Sequence, residues 1–166
     1  MKILAIDPGN QDSGYCVMDE QYKPLQHGKE RNADLIRMIY NGDLAADRCI
    51  IEMVASYGMP VGKEVFDTCV WIGRFMQAAE DAIGDEMTDR IYRIEEKQCI
   101  CHDSRAKDAN IRKALIDRFA DHDMKNGKGT KKDPDWFYGF AADEWAAYAV
   151  GVTWLEKQKE RENGKG

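Results

Sequence analysis

The stretch that decides the fold is MKILAIDPGNQDSGYCVMD, residues 1–19. A short apolar run ends there in an acid, Asp7, and the turn formers Pro8-Gly9-Asn10 follow it. The run SGYCVMD alternates enough to predict a second strand, antiparallel to the first. The sequence therefore places a carboxylate at the tip of its first strand, where the chain reverses.

The order of elements after this hairpin predicts an α/β protein with a five-stranded mixed sheet flanked by helices. The segments PLQHGKE, RCIIEMV and DRIYRIEE are the predicted third, fourth and fifth strands. Helices are predicted over residues 32–41, with Asn32 as a cap and Gly42 as a stop, and over 63–83, 104–120 and 141–157. One domain over residues 1–158 and a flexible charged tail over 159–166 are expected.

Charge is distributed unevenly along the 166 residues, whose net charge is −6. Residues 93–132 hold 11 Lys/Arg against 7 Asp/Glu, a net charge of +4, so the rest of the chain carries −10. The negative net charge argues against a nucleic-acid-binding protein. A local basic stripe can nevertheless contact phosphates. The alternative is that these charges belong to a solvated helix face. Without an apolar run of about 20 residues or a signal peptide, the cytoplasm is the expected location.

Three acids stand inside apolar elements: Asp7 ends the first strand, Glu52 interrupts the fourth, and Asp143 opens the last helix. Three neighbouring buried carboxylates are costly unless a divalent cation neutralises them, and oxygen ligands favour Mg²⁺ or Mn²⁺. Two such ions about 4 Å apart can activate water and stabilise the leaving oxygen of a phosphodiester. The alternative is three unrelated strand-end or helix-cap residues.

Three motifs carry a resemblance to a known family. AIDPGNQDSGYCV is similar to the first hairpin of RuvC-type Holliday-junction resolvases, in the ribonuclease H-like superfamily, and CIIEMV and ADEWAAYAVGV resemble their fourth strand and last helix. The resemblance implies a ribonuclease H-like fold and a Mg²⁺-dependent endonuclease, with Mn²⁺ as a substitute. Its catalytic metal ligands would be Asp7, Glu52 and Asp143, and its substrate four-way or branched DNA. It also implies a homodimer, and the small size resembles phage or prophage types.

The resemblance also implies DNA contacts between the second and third acids. Lys97 and Lys107 stand after the fifth strand, where the family places lysines near the scissile phosphate. By this resemblance Lys107 is also expected to be a catalytic residue. Arg105 is a further expected DNA contact. Tyr57 would be the aromatic wedge that stacks on an unpaired base. Surface lysines and a loop-anchoring tyrosine are the alternatives.

One position departs from the family pattern, because Phe140 stands where a fourth ligand, Asp or His, is usual. Glu144, Asp103 and Asp135 are candidate substitutes, and the sequence does not choose among them. The helix predicted over residues 63–83 carries more large apolar side chains than one core-facing side can bury, among them Phe66, Val70 and Trp71. This excess indicates a dimer interface.

Three other functions compete with a resolvase. An actin-like ATP-binding domain shares the opening strand, but the chain has no second phosphate loop and is too short for two lobes. A module with a decayed site would bind branched nucleic acid without cutting it. A different nuclease of the same superfamily would cut RNA–DNA hybrids or flaps, since substrate choice lies in loops.

Overall fold

The structure is a computed structural model that describes residues 1–164. Its central layer is a mixed sheet of five strands. The strands are β1 (Lys2–Asp7), β2 (Asp12–Asp19), β3 (Pro24–Arg31), β4 (Arg48–Met53) and β5 (Thr88–Tyr92). The helices are α1 (Asn32–Asn41), α2 (Lys63–Ile83), α3 (Arg93–Cys101), α4 (Asp108–Phe119) and α5 (Ala142–Asn163). The predicted five-stranded mixed sheet is confirmed.

The strand order is β3-β2-β1-β4-β5, so β1 and β4 lie in the middle of the sheet. β1 is antiparallel to β2 and parallel to β4, with Ile6 paired with Ile51. The next residues along these two strands are Asp7 and Glu52. Because parallel strands end at the same edge of a sheet, the topology brings these two acids together.

Helices cover both faces of the sheet, and the alternation of β1 assigns its side chains to them. Ile3 and Ala5 pack in the core under α4 and α5, whereas Leu4 and Ile6 pack in the core under α1 and α2. By the same alternation Asp7 lies on the α5 face, and Glu52 shares that face with its strand neighbour Ile50. The candidate acids therefore belong to one side of the sheet.

The predicted fifth strand was too long. β5 ends at Tyr92, and residues 93–101 form the helix α3 instead. Glu95 explains the change, because its carboxylate accepts the backbone N–H of Tyr92 and caps the new helix, and acids favour a helix N-terminus. A strand prediction over DRIYRIEE is therefore wrong beyond Tyr92.

The predicted ends of the other elements are partly confirmed. α2 and the stop at Gly42 are confirmed. Asn32 does not cap α1, because its side-chain amide accepts from the Ser13 hydroxyl and donates to the Gly9 carbonyl. α4 starts at Asp108 rather than 104, and α5 continues to Asn163 rather than ending at 157.

Two further predictions concern the end of the chain and the surface of α2. Residues 159–163 are helical, residues 165–166 lie outside the described residues, and the division of the chain at residue 158 stays a prediction. Trp71 is partly buried against the α1–α2 core, whereas Phe66 and Val70 are exposed. In the described part of the chain, no helix has the length and apolar character needed to cross a membrane.

Candidate active site

Two carboxyl groups meet at the ends of the central parallel strands. Asp7 and Glu52 share a hydrogen bond and are both largely buried. Burial and the neighbouring Glu52 raise the pKa of Asp7 to about 8, and burial and Glu96 raise the pKa of Glu52 to about 7. In the protein without a cation, Asp7 therefore keeps a proton near neutral pH and donates it to Glu52.

The third predicted acid, Asp143, lies beside this pair but bonds elsewhere. Its helix packs so closely on β2 that a β-carbon at Gly14 would come within 2.4 Å of the Asp143 carbonyl oxygen. Gly14 is the register partner of both Asp7 on β1 and Lys29 on β3. The Asp143 carboxylate pairs with Lys29 Nζ at 2.7 Å, and its charge contributes to the raised pKa of Asp7. The structure thus brings all three acids to one region and joins two of them.

Two further charged residues at this site were missed by the sequence analysis. Glu96 on α3 is fully buried, and its Oε1 atom has no hydrogen-bond partner among residues 1–164. Its Oε2 atom accepts from Arg93, whose guanidinium also donates to Asp108. Burial raises the pKa of Glu96 to about 8 despite Arg93. The i, i+3 spacing of Arg93 and Glu96 is a helical signal, and it was hidden because this segment was predicted to be a strand.

The chemistry of this donor set fits a hard divalent cation. Carboxylate oxygens are the ligands that Mg²⁺ and Mn²⁺ prefer, and the partnerless oxygen of Glu96 is buried beside the Asp7–Glu52 pair. Among residues 1–164, however, no three His, Cys, Asp or Glu side chains stand close enough around one point to hold a metal ion. Asp143 is turned to Lys29 instead, so the three-ligand metal site stays a prediction.

The missing fourth ligand is not restored by any of the three candidate substitutes. Phe140 is buried in a cluster of aromatic rings. Glu144 accepts from the backbone at the start of its own helix, and Asp135 accepts four backbone N–H groups of its loop. Asp103 bonds a neighbouring arginine in an exposed turn. Glu96 is the acid that lies next to the pair in their place.

Two of the predicted DNA contacts share one groove. Tyr57 and Lys97 line a groove of about 210 Å³ together with Arg93, Ile94 and Ser104. Tyr57 is 62% exposed on the loop after β4 and has a left-handed backbone conformation, with φ at +46°. This groove reaches the candidate acids through Arg93, which bonds Glu96.

The other two predicted DNA contacts lie around the start of α4. Lys107 is the exposed N-cap residue of that helix and precedes Asp108, the second partner of Arg93. Arg105 is exposed and pairs with Asp103 at 3.3 Å. The structure therefore places Lys107 next to the Arg93 cluster and leaves Arg105 on the outer surface of the turn.

Comparison with known proteins decides the fold. No family model and no curated protein matches the sequence. A solved structure of Thermus thermophilus RuvC matches with a TM-score of 0.67 and 13% identity, over 96% of this chain and 97% of that one. The chain has the RuvC fold.

A second match is T. thermophilus RuvC in complex with Holliday junction substrate. It aligns with a TM-score of 0.67 and 12% identity, over 92% of each chain. The agreement with RuvC extends over nearly the whole chain, so the predicted ribonuclease H-like fold is confirmed.

Proposed function

We propose that the protein is a divalent-metal-dependent endonuclease that cuts branched DNA, with four-way junctions as its substrate. The observation that carries the proposal is the buried Asp7–Glu52 pair at the ends of two central strands of a RuvC fold. One of the matched RuvC structures holds a Holliday junction. The proposed cofactor is Mg²⁺, with Mn²⁺ as a substitute.

The acids of the site are proposed to hold the cation. Asp7, Glu52 and Asp143 are the proposed ligands. A bound cation would supply a water of lowered pKa and would stabilise the leaving oxygen of the phosphodiester. Until then Asp7 holds a proton that it donates to Glu52, because burial and the neighbouring Glu52 raise the pKa of Asp7 to about 8. Arg93 limits the negative charge of the cluster by pairing with Glu96 and Asp108.

The groove beside the acids is proposed to position the DNA. Lys97 and Lys107 would contact phosphates near the cut, which places the strand without reading its sequence. Tyr57 has the exposure that stacking on an unpaired base requires, and such stacking contributes about 1–3 kcal/mol. Arg105 would add a phosphate contact on the outer side.

Resolution of a junction needs two cuts, and we propose a homodimer for this reason. Phe66 and Val70 are one helical turn apart on α2, and their side chains are 61% and 63% exposed. A two-fold axis along this helix would place two identical sites on two symmetric strands. A phage or prophage origin is part of the same proposal and rests on the resemblance alone.

The test is a cleavage assay with defined substrates. The protein is incubated with a fixed four-way junction, a duplex, a flap and an RNA–DNA hybrid, each with Mg²⁺, Mn²⁺ or EDTA. We expect symmetric paired nicks in the junction, and only with a metal ion. Asp7→Asn should lower the nicking rate by at least about 100-fold while junction binding is retained. Asp85→Asn, an exposed substitution in the turn before β5, is the matched control.

A binding module without catalysis is the second candidate function. It is favoured by the Lys29–Asp143 pair, which occupies the third acid, and by Phe140 at the fourth position. Junction binding without nicking in either metal would support this module. Metal-dependent nicking of flaps or hybrids with intact junctions would instead indicate another nuclease, and wild-type rates in Asp7→Asn would exclude the proposed site.

A further inference from the structure

The loop over residues 121–140 is organised by two acids that face inward. Asp123 accepts backbone N–H groups from residues 125, 126, 128 and 129. Asp135, whose side chain is fully buried, accepts those of residues 121, 122, 123 and 136. Gly129 and Pro134 form a further backbone bridge. The loop therefore has a fixed backbone, and the carboxylates of Asp123 and Asp135 are directed to that backbone rather than to the lysines, while Asp133 pairs with His122.

Its basic side chains, by contrast, are available at the surface. Lys125, Lys131 and Lys132 are exposed and Lys128 is half-buried. None of these four lysines forms a salt bridge with another residue in the range 1–164, whereas nearby Lys113 pairs with Asp117. The charges of the four lysines are therefore available to an anionic partner.

This loop and α4 together form a basic groove, named the α4 groove here. Its first part is lined by Asp108, Arg112 and Lys125, and its second part, of about 360 Å³, by Arg112, Lys125, Lys128 and Trp145. Arg112 lies over the Trp145 ring at 5.4 Å, which fixes the wall that the two parts share. The two parts share Arg112 and Lys125, and Lys113 and Lys128 bring the basic residues of the groove to four, against the two acids Asp108 and Asp123.

The first part of the α4 groove adjoins the candidate active site, and the second part lies against α5, the helix that carries Asp143. Asp108, at one end, bonds Arg93, which bonds the buried Glu96. Trp145, in the wall of the second part, follows Asp143 by two residues on α5. Arg112 is one helical turn, about 6 Å, beyond Asp108, so with a rise of about 3.4 Å per nucleotide this stretch of the groove matches about two phosphates of one strand.

We infer that the α4 groove and the lysines of residues 125–132 bind the sugar-phosphate backbone of a duplex DNA arm that leaves the candidate site. The inference rests on the proposed function, because it assigns the path of the substrate beyond the cut. Lysines at the end of flexible stems act as point charges for phosphates, and a fixed loop backbone lowers the entropy lost on binding. Such contacts position the duplex without reading its sequence.

Salt dependence of binding measures these contacts directly. Wild type and the variant Lys125→Gln/Lys128→Gln are titrated with a four-way junction and with a duplex, in EDTA, at several salt concentrations. Each lost phosphate contact lowers the slope of log K against log salt by about 0.9, so we expect the variant's slope to fall by about 1.8 on both DNAs. Lys125→Arg/Lys128→Arg should keep the wild-type slope.

The matched control removes the same charge elsewhere. Lys2→Gln/Arg37→Gln alters exposed residues on the side of the sheet that α1 and α2 cover, opposite to α4, and should leave the slope unchanged. Thermal unfolding of the loop variant should equal that of wild type, because Asp123 binds backbone and not side-chain groups there.

The outcomes separate this inference from the proposed function. If wild type prefers the junction and the loop variant keeps its slope, the groove does not bind DNA and the inference is overturned while the nuclease proposal stands. If wild type binds duplex as tightly as junction and the variant's slope falls, the groove assignment holds and the junction specificity fails. Binding of neither DNA by wild type would overturn both.

Discussion

Asp7 is a strand-end carboxyl group that the fold keeps largely out of water. Its neighbours Glu52 and Glu96 add negative charge, which Arg93 offsets in part. The side chain of Asp7 is consequently neutral at a pH where an exposed aspartate is ionised. A divalent cation held by Asp7 would displace this proton, so the proposed metal binding would strengthen as pH rises.

The stability of the metal-free protein should therefore fall as pH rises. The pKa of Asp7 is about 8 in the folded chain against 3.8 ordinarily, so between these values the folded state binds more protons than the unfolded state. This contribution to the free energy of unfolding is complete below pH 3.8 and is lost as pH rises through about 8. Asp7→Asn removes the titrating group, and we expect its advantage over wild type to grow by about 2 kcal/mol between pH 5.5 and pH 8.

Urea unfolding in EDTA at several pH values measures this difference, with Asp85→Asn as the control that should follow wild type. The gain at pH 8 corresponds to about 5 °C in melting temperature. A constant difference between Asp7→Asn and wild type across this range would show that Asp7 is not held neutral.

Sequence reasoning finds site residues that break a pattern and misses those that do not. Asp7 and Glu52 were predicted because each acid interrupts an apolar strand. Glu96 stands in a charged segment, RIEEK, where one more acid gives no signal of burial. The pairing of Asp143 with Lys29 depends on strand register, and no local pattern reports which lysine lies across the sheet.

At the scale of elements, the contact between β2 and α5 sets where the third acid stands. Gly14 permits this contact, because a β-carbon there would lie 2.4 Å from the carbonyl oxygen and 2.7 Å from the carbonyl carbon of Asp143. These are backbone atoms of a helix, so relief requires the whole start of α5 to move. We expect Gly14→Ala to destabilise the fold by about 2 kcal/mol and to lower nicking by at least about 10-fold.

Gly73→Ala is the matched control for that substitution. Gly73 lies in the middle of α2, is exposed, and has no atom within 4 Å of a built β-carbon. Alanine there should stabilise the helix by about 0.5–1 kcal/mol. Thermal unfolding and junction cleavage of both variants check the pair, and wild-type cleavage by Gly14→Ala would show that the close packing is not needed.

Element bounds were predictable where local chemistry fixes them. α2 was predicted to its last residue, because an apolar pattern over residues 63–83 is followed by Gly84, and Gly42 ends α1 in a left-handed conformation. α3 was missed because its capping acid, Glu95, acts on the backbone of Tyr92, and the apolar residues Ile91, Tyr92 and Ile94 before it favour a strand. The end of α5 was placed too early, because its last charged residues make tertiary contacts such as that of Lys159 with Tyr22.

In the whole molecule, the strand order brings acids from distant segments of the chain together on the α5 face of the sheet. On the opposite side, the outer surface of α2 has exposed apolar side chains. α1 and α2 bury their inner faces against the sheet, through residues such as Ile72 and Phe75. The outer face of α2 keeps Phe66 and Val70 exposed, and Met59 on the preceding loop is exposed as well. Such a patch, next to a loop proposed to contact DNA, is expected where a second copy packs.

Charges placed in this patch should separate the copies without unfolding them. We expect wild type to sediment as a dimer at micromolar concentration and Phe66→Glu/Val70→Glu to sediment as a monomer with nearly unchanged thermal unfolding, because both side chains are already exposed in the single chain. On a four-way junction the paired cuts of wild type should become single, uncoupled nicks, because a monomer has one site. Leu25→Glu, an exposed apolar position on β3, is the control that should leave the dimer intact. A variant that stays dimeric would place the interface elsewhere. A wild type that stays monomeric at every concentration tested would exclude the homodimer, and any pairing of the two cuts would then come from the junction itself.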